Sequence, residues 1–122
     1  MKREHLAALT QIAALQKDAA MQRLAAARQR EVEAAQALAA LAANLAAARA
    51  QPATAEVSAI RQTELFARWT AAQCQQAGAA LAQSQAGALV ARDHAARSFG
   101  RCTAFESLTQ KLANQGAARQ QS

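Results

Sequence analysis

A single proline, Pro52, stands in a chain of 122 residues otherwise composed of good helix formers. Proline lacks the amide hydrogen that continues a helical ladder, and it pushes the residue before it out of helical geometry. A first helix beginning near Glu4 must therefore end near Ala50, with a turn over Gln51 to Thr54. Thr54 is suited to cap a second helix from about residue 55, and Glu56 lies near the positive end of its dipole. Two long helices joined by so short a connection fold back side by side. The sequence thus predicts an all-α fold, two long helices forming an antiparallel coiled-coil hairpin, as a single domain over 1–122 with helices at 4–50 and 55–114 and a flexible tail at 115–122.

Composition excludes the alternatives to helix. Hydrophobic residues make up 52% of the chain, yet mean hydropathy is only −0.13, because alanine supplies most of them. Aromatics are 3% and tyrosine is absent, so nothing supplies the alternating β-branched and aromatic runs of a sheet. Leu6, Leu9, Ile12, Leu15, Met21, Leu24, Val32, Leu38, Leu41 and Leu45 recur by threes and fours and predict the buried face of the first helix, with alanine between them. Val57, Ile60, Leu65, Phe66, Trp69, Leu81, Leu89, Val90, Phe99, Phe105, Leu108 and Leu112 continue that face on the second. A fold near residue 52 pairs positions summing to about 105, leaving Phe105, Leu108 and Leu112 on an overhang without an intramolecular partner. Gly78, Gly87 and Gly100 mark places for a kink or a close approach.

The chemistry of enzymes is missing from the sequence. There is no phosphate-cradling glycine loop, HExxH, CxxC or GxSxG. His5 and His94 have no cysteine or carboxylate cluster around them, and the 105 register sets them about 9 Å apart along the axis, as solvated surface histidines rather than ligands. Cys74 and Cys102 are too far apart on one helix to bridge and read as reduced thiols. No catalytic residue, metal or cofactor is expected, and no small-molecule substrate. The basic start MKREHLAALTQ lacks the apolar core of a secretory signal. The uncharged run from Thr70 to Val90 carries too many glutamines to cross a membrane.

Net charge is +6, which raises nucleic acid or an acidic surface as a partner. The cations are scattered among carboxylates, and no aromatic platform interleaves with them, so nucleic acid is disfavoured and docking onto an acidic protein surface is preferred. A two-helix coil is too thin to bury a tryptophan, so Leu65, Phe66 and Trp69 either form an exposed anchor for a partner or close the seam beside the turn. Phe99, Phe105, Leu108 and Leu112, with Arg92, Arg97, Arg101 and Lys111, form a second patch at the other end.

The opening KREHLAALTQIAALQKDAAMQRLAAARQREVEAAQALAALAANL resembles the N-terminal helix of the flagellar export protein FliJ and its YscO-type counterparts in type III secretion. ELFARWTAAQCQQAGAAL resembles the start of their second helix, and ARDHAARSFGRCTAFESLTQKLANQ their C-terminal region, with Glu106, Leu108, Lys111 and Leu112 the clearest points. The resemblance implies a non-enzymatic coiled-coil stalk, similar to the shaft of rotary ATPases, that binds a hexameric export ATPase and links it to the export gate membrane protein and to export chaperones. It would lie in the cytoplasm at the inner face of the cell membrane, peripheral through its partners. By position, Phe66, with Leu65 and Trp69, would contact the gate. Leu6, Leu9, Arg92, Arg97, Phe99, Arg101, Phe105, Leu108, Lys111 and Leu112 would face the ATPase. The alternatives are a small cytosolic secretion chaperone for a filament or hook subunit and a basic helical nucleic-acid-binding protein.

Overall fold

The computed structural model of the chain describes residues 2–50 and 56–121. Two helices account for nearly all of them: α1, Arg3–Ala50, and α2, Val57–Gln121. They run antiparallel against each other as a helical hairpin, and no strand occurs among the described residues. Helix α1 ends at Ala50, where the proline predicts; the turn and the Thr54 cap lie outside the described residues. At the start of α2, the Glu56 carbonyl accepts the first hydrogen bond, from the Ile60 amide at 3.2 Å.

The hairpin divides into two compact units, a terminal one made of α1 up to Ala26 with α2 from Leu89, and a second spanning Ala27–Ala88. In both, burial follows a strict heptad of threes and fours. On α1 the least exposed positions include Leu6, Ala13, Ala20, Leu24, Ala27, Leu38, Leu41, Leu45 and Ala48; on α2 they include Thr70, Cys74, Ala77, Leu81, Ala88, Ala95, Ser98 and Cys102. In the terminal unit Ala20 and Leu24 pack with Ala95 and Ala91, pairings that sum to 115. Continued along each unit, this register sets the seam leucines of α1 opposite small residues of α2. Leu24 faces Ala91, Leu38 faces Ala77, Leu41 faces Cys74 and Leu45 faces Thr70. Small-to-large alternation lets two backbones approach closely with few voids.

Several expectations are corrected. The register is 115, not 105, so the stretch from Phe105 to Leu112 lies alongside α1 rather than overhanging it: the Thr10 and Thr109 hydroxyls lie 3.3 Å apart, and Phe105 and Leu112 are half-buried. Residues 115–121 are helical rather than a loose tail, consistent with their alanine, arginine and glutamine content. There, a Cβ on Gly116 would come within 2.5 Å of Arg3 Nη2, the tip of a flexible side chain. Gly78, Gly87 and Gly100 sit within continuous helix with nothing within 4 Å of a Cβ position, so none marks a close approach.

The largest correction concerns the buried face. Ile12, Leu15, Met21, Val32, Val57, Ile60, Leu65, Phe66, Trp69, Leu89, Val90, Phe99 and Leu108 are exposed, while alanine, serine, threonine and cysteine fill much of the seam. Threonine is tolerated because its hydroxyl turns back on its own helix. The Thr70 hydroxyl donates to the Phe66 carbonyl at 2.8 Å, and Thr10 does the same to Leu6 at 2.8 Å. Among the described residues no buried side-chain nitrogen or oxygen lacks a partner, as the cost of an unmet buried donor demands.

Candidate partner-binding surfaces

In the heptad defined by this seam, positions e and b flank one side and g and c the other. In the terminal unit the a and e positions carry the Lys17 ammonium, which stands 5.7 Å from the Phe99 ring centroid, and the Cys102 thiol, which donates to Glu106 Oε1 at 3.5 Å. In the Ala27–Ala88 unit, the g, c and d positions Asn44, Ala47, Ala48, Gln62, Thr63 and Phe66 line an open recess of about 450 Å³.

Leu65, Phe66 and Trp69 are all exposed, Trp69 at 58%. The Phe66 and Trp69 rings lie three residues apart on one turn with centroids 6.2 Å apart, tilted by 35°, a separation within the favourable aromatic range. The seam beside them is filled by Ala67 and Thr70, so the aromatics do not close it. Phe66 forms one wall of the recess, and Arg68 pairs with Glu64 at 3.0 Å on an exposed side. An exposed tryptophan next to a phenylalanine is the composition of a binding anchor.

The second group of expected residues separates. Leu6 is 2% exposed, held in the seam, so its role is to join the helices. Phe105 and Leu112 are half-buried against α1, and Leu9 is half-buried. Phe99 and Leu108 remain exposed, at 57% and 46%. Arg92, Arg101 and Lys111 are exposed as well, and Arg97 pairs with Asp93 at 3.1 Å across water-exposed side chains, a contact worth at most a few tenths of a kcal/mol. Sequence reasoning missed Lys17 as the partner of Phe99, and Ile12 and Val90 as surface residues. A count of the small residues at strict heptad spacing, Ala13, Ala20, Ala27 and Ala34, would have placed the seam on them.

The Cys102 thiol is pushed above the ordinary thiol range, first by burial, then by its hydrogen bond to Glu106 and that carboxylate's charge. Cys74 is half-buried and unpaired to sulfur. His5 and His94 are exposed; in the 115 register they lie about 24 Å apart along the axis, not 9 Å. Among the described residues no group of three His, Cys, Asp or Glu is placed to hold a metal, and no helix is long and apolar enough to cross a membrane.

No family model, no curated protein and no solved structure matches this chain.

Proposed function

We propose that this chain is a non-enzymatic partner-binding hairpin that serves as a stalk component of a flagellar or type III protein export apparatus. In this reading the terminal unit meets a hexameric export ATPase, and the aromatic patch meets the export gate, with export chaperones as further partners. The observation that carries the reading is the inside-out distribution of apolar side chains. Alanine and other small residues fill much of the seam between its leucines, whereas Phe66, Trp69, Phe99 and Leu108 face outward. Large exposed side chains of this kind mark surfaces that other proteins cover. A stalk turning within a symmetric ring needs weak, distributed contacts, and the exposed Arg92, Arg97, Arg101 and Lys111 supply cations for acidic loops. Residues resembling the export family lie in both helices, Glu106, Leu108, Lys111 and Leu112 foremost.

The test is co-purification with the export ATPase encoded in the same genome, with turnover and oligomer size measured as the hairpin is added. The reading expects a stable complex and a change in hexamer formation or turnover, reduced by Leu108→Ser with Phe99→Ser. An ATPase that neither binds nor responds contradicts it.

A further inference from the structure

Charge in the terminal unit sorts by side of the seam. Positions g and c carry Arg23, Arg97, Arg101 and Lys111, all exposed, and among the described residues no carboxylate occupies g or c in this unit. Glu4, Asp18 and Glu106 fall at b and e, across the seam, where Arg92 is the one cation at those positions among the described residues of this unit. Asp93, at the outermost position, reaches over to pair with Arg97. Between the cations on the g and c side lie Leu9, half-buried, with Ile12 50%, Val90 71% and Leu108 46% exposed.

We infer that this side of the terminal unit is a docking face for an acidic amphipathic α-helix of a partner protein. The helix lies along the trough between α1 and α2, its apolar side chains on Leu9, Ile12, Val90 and Leu108 and its carboxylates on the arginines and Lys111. Arg97, Arg101, Ala104, Leu108 and Lys111 follow one another at intervals of four, three, four and three. That is the repeat along which a second helix presents its own side chains. Small residues, Ala19, Ala26 and Ala104, leave the trough open for it.

Two other anionic surfaces fit less well. Leu108 and Arg101 share position g, while Val90, Arg97 and Lys111 share position c. Cation and apolar group thus stand at one level, so a bilayer could not take up the apolar groups without drawing the cations toward the acyl layer. A nucleic-acid duplex offers phosphates but nothing to cover the exposed aliphatic side chains. An acidic helix with leucines between its glutamates satisfies both. The inference rests on reading the terminal unit as a protein-binding surface, and not on the partner being an ATPase.

The experiment is fluorescence anisotropy of the full chain with a labelled synthetic helical peptide of about three heptads, with leucine and glutamate on one face. Binding is compared between R97Q/R101Q/K111Q and a control, R28Q/R49Q/R61Q, which removes equal charge from e and b positions. Both variants take the net charge from +6 to +3. The face variant should bind about tenfold more weakly or worse, consistent with the loss of several charge pairs, while the control stays within about twofold. Leu108→Ser, an exposed change made with helicity checked by circular dichroism, should weaken binding as well. Equal losses in both charge variants, or no binding of the peptide by the native chain, overturn the inference. So does binding only to phosphatidylserine vesicles or duplex DNA. A peptide that binds while the ATPase does not would sink the stalk reading alone.

Discussion

The two cysteines differ in surroundings more than in sequence context, and their chemistry should differ accordingly. Cys102 is 2% exposed in the seam, and burial together with Glu106 disfavours its thiolate. Since the thiolate is the reacting species, alkylation should modify Cys74 first and Cys102 only slowly in the folded chain. Mass spectrometry of a timed iodoacetamide reaction at neutral pH checks this; faster labelling of Cys102 contradicts the packing. The sign for stability follows. A thiol whose folded value is raised favours the folded state below its unfolded value, about 8.5, and that contribution is lost as pH rises through the folded value. Cys102→Ala should therefore flatten part of the loss of stability on the alkaline side, read as melting temperature against pH.

At the scale of the element, the seam is set by small residues, and the expected penalty for enlarging them is large. Ala20 is 1% exposed and packs with Leu24 and Ala95. Ala20→Leu should destabilise by about 1–3 kcal/mol through overpacking, whereas Ile12→Ala, on the surface, should change stability by less than about 0.5 kcal/mol. Urea denaturation followed by circular dichroism separates the two; equal effects would argue for a seam running through the large residues. The comparison also shows what was legible in the sequence. The hairpin itself, its helix end at Ala50 and its lack of strands follow from Pro52 and propensity. The seam does not, because hydropathy weights leucine and isoleucine above alanine, and both sets recur by threes and fours. What decides between them is backbone proximity, which favours Ala13, Ala20 and Ala27 over Ile12, Leu15 and Met21. The same choice moved the register from 105 to 115 and brought Phe105 and Leu112 alongside α1. Of the candidate sites, the exposure of Trp69 was one of two readings that its size against a thin coil left open, whereas the exposure of Phe99, the burial of Leu6 and the sorting of charge by side required the register.

For the molecule as a whole, register, seam and surface chemistry are one claim, since the side on which each arginine stands depends on which residues meet between the helices. The Thr10 and Thr109 hydroxyls, 3.3 Å apart, give the most direct measurement of it. In a chain carrying C74A and C102A, the pair T10C/T109C should close under mild oxidation into an intramolecular disulfide, read as a monomer of faster electrophoretic mobility. The pair T10C/A95C, which the 105 register would bring together and which the 115 register holds about 15 Å apart along the axis, should not. Closure of the second pair in place of the first, or crosslinks forming only between chains, would contradict the account.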